Sequence, residues 1–185
     1  QHRAALGGNL CTASPGAETV PSLMVNESLA VIAAIDCSRK IPVNEVITGP
    51  GTTSLASGEF IIEFLLEQPP PRTSDAYERF IPRTEMDIAV VDAAARISLD
   101  ESGNCKEARV AIGAAAPTVI RIPEAEAILH GKKINDQLLA EVMEVVSTTY
   151  DGMIEEGRKL REYGNNVIVK CPMTCLLYTS PSPRD

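Results

Sequence analysis

Two adjacent glycines followed by an amide, Gly7-Gly8-Asn9, are the residues of this 185-residue chain best suited to chemistry on a ligand. A backbone without side chains leaves its N–H groups open to close approach, which the oxygens of a diphosphate require. Asn9 adds a side-chain amide, Thr12 and Ser14 add hydroxyl donors, and Glu18 can accept from a ribose hydroxyl. Such a set suits a nucleotide, although most Gly-Gly pairs are plain turns. Other chemistries are poorly supplied. With only His2 and His130, a histidine-based metal site is not expected. Cys11, Cys37, Cys105, Cys171 and Cys175 form no Cys-x-x-Cys pair. They are expected to be free thiols in a reducing compartment, most of them as small buried hydrophobes.

The net charge of −8, with no Lys/Arg run, argues against nucleic acid as a partner. No apolar stretch reaches the length of a membrane span. The N-terminus lacks the basic, apolar and small-residue order of a secretory signal, so a cytoplasmic location is expected. Gln1 stands where an initiator Met is expected, so the first residue is not taken as the biological start. At 44% hydrophobic residues a packed core is within reach; at 4% aromatics and no Trp it must be aliphatic.

The elements that must position the glycines follow from local pattern. Residues 7–18, rich in Gly, Asn, Ser, Thr and Pro, read as a loop. A short helix is expected at Val20–Val25, a buried strand at Ser28–Asp36, a paired strand at Arg39–Val43, a turn-rich loop at Thr48–Gly58 and an apolar strand at Glu59–Leu66. Pro69-Pro70-Pro71 suits neither a helix interior nor a central strand, and is read as a domain boundary. Beyond it, Tyr77–Ile81, Asp87–Leu99 and Ala108–Ala116 are expected to form a three-stranded antiparallel sheet, with a hairpin turn at Glu101-Ser102-Gly103-Asn104. Pro123 should start a helix Glu124–Leu129 that Gly131 ends. Further helices are expected from about Asn135 to Met143 and at Asp151–Glu162, and a short strand at Val167–Val169.

The longer string from Ala5 to Leu23, ALGGNLCTASPGAETVPSL, resembles the second flavin-contacting segment of the FAD-binding (medium) subunit of molybdenum hydroxylases of the xanthine dehydrogenase and carbon monoxide dehydrogenase type. Arg79–Val91 (RFIPRTEMDIAVV) resembles the start of that subunit's C-terminal domain, and Ala108–Pro117 with Ala125–Gly131 resembles its last strand and first helix. The resemblance implies FAD as cofactor. It implies Gly7, Gly8, Asn9 and Thr12 at the diphosphate, Glu18 at the ribitol or ribose, Ile61 covering the isoalloxazine ring, and Arg79 near its pyrimidine end. It also implies an oxidoreductase that passes electrons from iron–sulfur clusters through FAD to an acceptor, with a molybdopterin-binding large subunit and an iron–sulfur small subunit as partners. Two positions depart from the pattern: Ala5 replaces a hydroxyl residue and Glu18 an aspartate. The half of the FAD domain carrying the first glycine-rich loop has no counterpart in the chain.

Residues 144–174 instead resemble the small transaldolase or fructose-6-phosphate aldolase class, in which Lys170 would be the Schiff-base lysine. The tail, residues 175–185 (CLLYTSPSPRD), resembles translated sequencing adaptor and is expected to be disordered, an artefact. The expected architecture is therefore α+β: a partial FAD-binding domain at 1–70, an incomplete C-terminal flavoprotein domain at 75–143 built as a three-stranded antiparallel sheet with a helical bundle, a transaldolase-like fragment at 144–174, and the tail.

Overall fold

The structure, a computed structural model, describes residues 5–81 and 88–146. The expected helix Asp151–Glu162, the strand Val167–Val169, Lys170 and the tail lie outside those residues, as does Asp87. The described chain is α+β and its sheets are antiparallel throughout.

The first element corrects the loop expected at 7–18. Leu6–Thr12 forms a helix, α1, which ends at Ala13 in the left-handed region (φ 48°). After a turn segment comes α2, Val20–Val25, with Pro21 in its first turn, where the missing N–H is no loss, and five of its six residues buried. Strand β1 (Leu29–Ala33) lies between β2 (Ser38–Pro42) and β5 (Phe60–Leu65). The stretch expected as a loop at 48–58 contains most of a small hairpin, β3 (Ile47–Gly49) with β4 (Thr52–Thr53). Arg39 and Glu59 close the exposed side of this unit with an ion pair of 2.8 Å. The Arg39 guanidinium holds the Glu59 carboxyl down at about 2.

Strand β5 does not alternate cleanly. Ile32 faces Ile61 while Val31 faces Glu63, so Ile62 is an extra residue, a β-bulge. The bulge leaves Ile62 exposed while Ile61 and Phe64 both pack on the core.

The second sheet runs β6 (Thr73–Phe80), β7 (Val91–Leu99), β8 (Cys105–Gly113), β9 (Ile120–Arg121). It has four strands rather than three. The fourth, β9, is two residues long and too short to carry an alternation pattern. Gly103 takes a positive φ of 81° in the β7–β8 turn, and Asp100 accepts from the backbone N–H groups of Ser102 and Asn104. Both faces of this sheet are covered, which explains the near-continuous apolar character of β7. On one face Ala94 and Ala111 join the core of α1, α2 and β1. On the other, Ala108 and Ile112 meet α3 (Pro123–Leu129) and a helix α4 at residues 136–146. Asn135 caps α4 through its Oδ1, which accepts from the Leu138 N–H at 2.8 Å. Gly131 follows the end of α3 with φ 74° and donates its N–H to the Cys105 carbonyl.

Helix α2 thus belongs to both sheets. Arg96 of β7 donates to Asn26 Oδ1 at 2.7 Å, and Arg109 of β8 donates to the Val25 carbonyl and pairs with Glu27 at 2.9 Å. The cysteines depart from expectation: Cys11, Cys37 and Cys105 are free, but only Cys105 is buried among them.

Candidate functional site

The two glycines sit in the first turn of α1. The first backbone bond of that helix runs from Asn9 N–H to the Ala5 carbonyl, so the amides of Leu6, Gly7 and Gly8 precede it. Glycine in a helix costs about 1 kcal/mol relative to alanine. Nothing in the packing of the described residues requires it here. A Cβ added at Gly7 would approach no closer than 3.9 Å, to Phe64, and one at Gly8 no closer than 3.7 Å, to Ala5. Gly8 is exposed.

Asn9 engages its side-chain oxygen within the chain. Its Oδ1 accepts from the Thr19 hydroxyl at 2.6 Å and from the Thr19 N–H at 3.3 Å, which ties α1 to the residue before α2. Replacing Thr19 by Val removes the shorter bond and is expected to cost about 1 kcal/mol, read as a lower urea midpoint with an unchanged slope. The Thr12 hydroxyl donates to the Gly8 carbonyl at 2.8 Å, and the Ser14 hydroxyl accepts from the Gly16 N–H. Ile61 is half-buried on β5 and packs against the core, the same strand whose Phe64 lies beside Gly7.

Glu18 and Arg79, 61 residues apart in sequence, form an ion pair. Both are mostly buried, with side chains 20% and 25% exposed. Asn9, Thr19, Glu18 and Arg79 therefore make a continuous line of contacts and chain neighbours from α1 to β6. Beneath it lies a pair that sequence reasoning missed. The Tyr77 hydroxyl donates to Asp92 Oδ2 at 2.9 Å, and Asp92 is only 2% exposed. Burial pushes the Asp92 carboxyl up, against the Tyr77 hydrogen bond. Burial first, then the neighbouring Asp92 carboxyl, push the Tyr77 phenol up as well. The one available signal was a lone acid at an inward position near the start of a largely apolar strand. Among the described residues no group of His, Cys, Asp and Glu could hold a metal ion, and no helix is long and apolar enough to cross a membrane.

Comparison with known proteins agrees on one family. Residues 76–178 match the family model of the CO dehydrogenase flavoprotein C-terminal domain, and residues 1–67 that of the FAD binding domain in molybdopterin dehydrogenase. The putative xanthine dehydrogenase FAD-binding subunit of Escherichia coli (strain K12) is 33% identical over 144 residues, 77% of this chain and 49% of that protein. A carbon monoxide dehydrogenase from Hydrogenophaga pseudoflava shares the fold, with a TM-score of 0.71 at 24% identity over 78% of this chain and 50% of that one. The chain thus spans about half the length of each of these two relatives. A probable transaldolase of Nitrosopumilus maritimus (strain SCM1) is 62% identical over 32 residues, 17% of this chain and 14% of that protein.

Proposed function

Because the chain belongs to the CO dehydrogenase flavoprotein family, we propose that it is the FAD-binding part of a molybdenum hydroxylase, in which Gly7, Gly8 and Asn9 of α1 line the diphosphate of FAD. The observation that carries this reading is the glycine pair in the first turn of α1. The pair costs helix stability and answers no close contact among the described residues. A local rule broken without internal gain points to a functional demand. A cofactor backbone lying against the open turn supplies that demand.

Thr12 adds a further contact on the same helix. Glu18 faces the ribitol or ribose, Ile61 covers the ring system, and Arg79 sits near its pyrimidine end. When bound, FAD supplies the electron transfer, taking electrons that arrive through iron–sulfur clusters and giving them to an acceptor. The protein supplies position and charge. Arg79 brings a cation where the reduced ring gathers negative charge, and Glu18 orients that guanidinium through their ion pair. A molybdopterin-binding large subunit and an iron–sulfur small subunit are the partners, in the cytoplasm. In this reading residues 1–70 belong to the FAD-binding domain and 75–143 to the C-terminal flavoprotein domain, with 144–174 and the tail 175–185 as separate additions. The 32-residue likeness to a transaldolase is far short of the roughly 200 residues of a (β/α)8 barrel, and we propose no Schiff-base chemistry for Lys170.

Titration with FAD, followed by quenching of flavin fluorescence, tests the reading. Saturable quenching is expected, weakened by about tenfold or more, or about 1.4 kcal/mol, in Gly8→Val, whose side chain would occupy the exposed first turn. Absence of quenching at high micromolar protein, or equal affinity in the variant, refutes it.

A further inference from the structure

The register of the second sheet places Arg79, Asp92 and Gly113 directly opposite one another on β6, β7 and β8. Facing residues of neighbouring antiparallel strands point to the same side, so this row lies on the face covered by α2. Asp92 is almost fully enclosed there. Its Oδ2 receives the Tyr77 hydroxyl, whereas its Oδ1 has no hydrogen-bond partner among the described residues. Oδ1 fills the space left by the missing side chain of Gly113, where a Cβ would lie only 2.1 Å away.

Among the described residues, the charged and titratable groups around the row are these. β6 contributes Tyr77 and Arg79, the segment before α2 contributes Glu18, α2 presents Pro21, and β8 presents Gly113. Of the two carboxyls beside the Arg79 guanidinium, it is Glu18 that pairs with it. A carboxylate this deeply buried, helped only by the Tyr77 hydroxyl and the Gly113 backbone and with no paired cation, is disfavoured relative to its protonated form. Burial and the nearby Glu18 charge both raise the Asp92 pKa.

We infer that Asp92 is a positioning residue held as a neutral acid, which fills the notch at Gly113 and anchors Tyr77 without giving Arg79 a second counter-charge. Oδ1 then carries the proton, and Tyr77 donates to the carbonyl oxygen Oδ2. The Glu18–Arg79 ion pair is then left undisturbed. Ionised, Asp92 would add a negative charge beside the guanidinium and oppose its effect on the reduced ring. This last consequence rests on the flavin reading; the protonation does not.

Infrared titration of the full chain without flavin tests it. Above the ordinary aspartate range, the wild-type chain should retain a protonated-carboxyl band that Asp92→Asn lacks. In Tyr77→Phe, which removes the hydroxyl donor to the carboxylate, the band should persist to higher pH. Linkage supplies a second readout. A raised folded-state pKa means that the folded chain binds more protons than the unfolded one, so stability falls as pH rises from the ordinary carboxylate range through the folded value. Asp92→Asn should remove that fall. Its FAD affinity should stay within about twofold of wild type at the same pH, whereas wild-type affinity declines as the band disappears. Absence of the band in both wild type and Tyr77→Phe, or parallel stability–pH curves for wild type and Asp92→Asn, overturns the inference. Loss of FAD binding in the wild-type chain would count against the flavin reading alone, since the band and the stability slope need no flavin.

Discussion

Gly113→Ala is expected to destabilise the chain by about 3 kcal/mol, a larger effect than its single methyl group suggests. The new Cβ would lie 2.1 Å from Asp92 Oδ1 and 3.1 Å from both Asp92 Cγ and Pro21 Cγ. Asp92 has no room to retreat, because it is enclosed between β6, β8 and α2. Either the carboxyl moves and loses the Tyr77 hydroxyl, or α2 lifts from the sheet and opens the core at Ala94 and Ala111. Overpacking alone costs about 1–3 kcal/mol, and the broken hydrogen bond adds about 1 kcal/mol. A drop in urea midpoint with an unchanged slope would show this. Combining the change with Asp92→Ala should recover part of the loss, since the second substitution removes the atoms that clash. The pair should therefore be clearly non-additive. Gly103→Ala is the control: its φ of 81° makes alanine strained, but nothing lies within 4 Å, so about 1 kcal/mol is expected. A Gly113→Ala chain within about 0.5 kcal/mol of wild type would show that the notch is not tightly packed.

The contrast between these glycines shows what the sequence could and could not disclose. Gly103 lies in a short polar run between two apolar ones, and its turn role was plain from neighbours alone. Gly113 ends an apolar strand, and nothing local distinguishes it from a weak strand position. Its meaning comes from Asp92 across the ladder, and the meaning of Asp92 comes from Tyr77 on the third strand. The Glu18–Arg79 pair is likewise a long-range fact, with 61 residues between its members. Helix α2 was legible because Pro21 and a run of apolar residues agree. Helix α1 was not, because Gly, Asn and Thr have weak helix propensity and tertiary contacts overrule it. Leu10 in the core and Asn9 on Thr19 hold the turns that composition would leave open. The site residues themselves stood out by type and by resemblance to a family; their partners did not.

Leu10→Ala should separate the stability of α1 from its proposed role. Leu10 is fully buried and is the one core side chain that α1 supplies. Truncating a buried leucine costs about 3 kcal/mol. Here the loss falls on a seven-residue helix with two glycines, far below the length at which an isolated helix is stable. What remains to hold α1 is the Asn9–Thr19 contact and the bond from Gly51 N–H to the Ala13 carbonyl. The helix should therefore loosen before the rest of the domain does. Amide exchange across residues 6–12 should accelerate at least as much as global stability falls, and FAD affinity should drop by more than about tenfold. Ile122→Ala is the matched comparison. Ile122 is equally buried but lies on the far side of the second sheet, against Ala125 and Ile112. Its loss should lower stability by a similar amount while leaving exchange at α1 and flavin affinity near those of wild type. Equal losses of affinity in the two variants would mean that flavin binding follows global stability. Loss confined to Leu10→Ala ties it to α1, because the two lesions cost the fold alike and differ only in which helix they release.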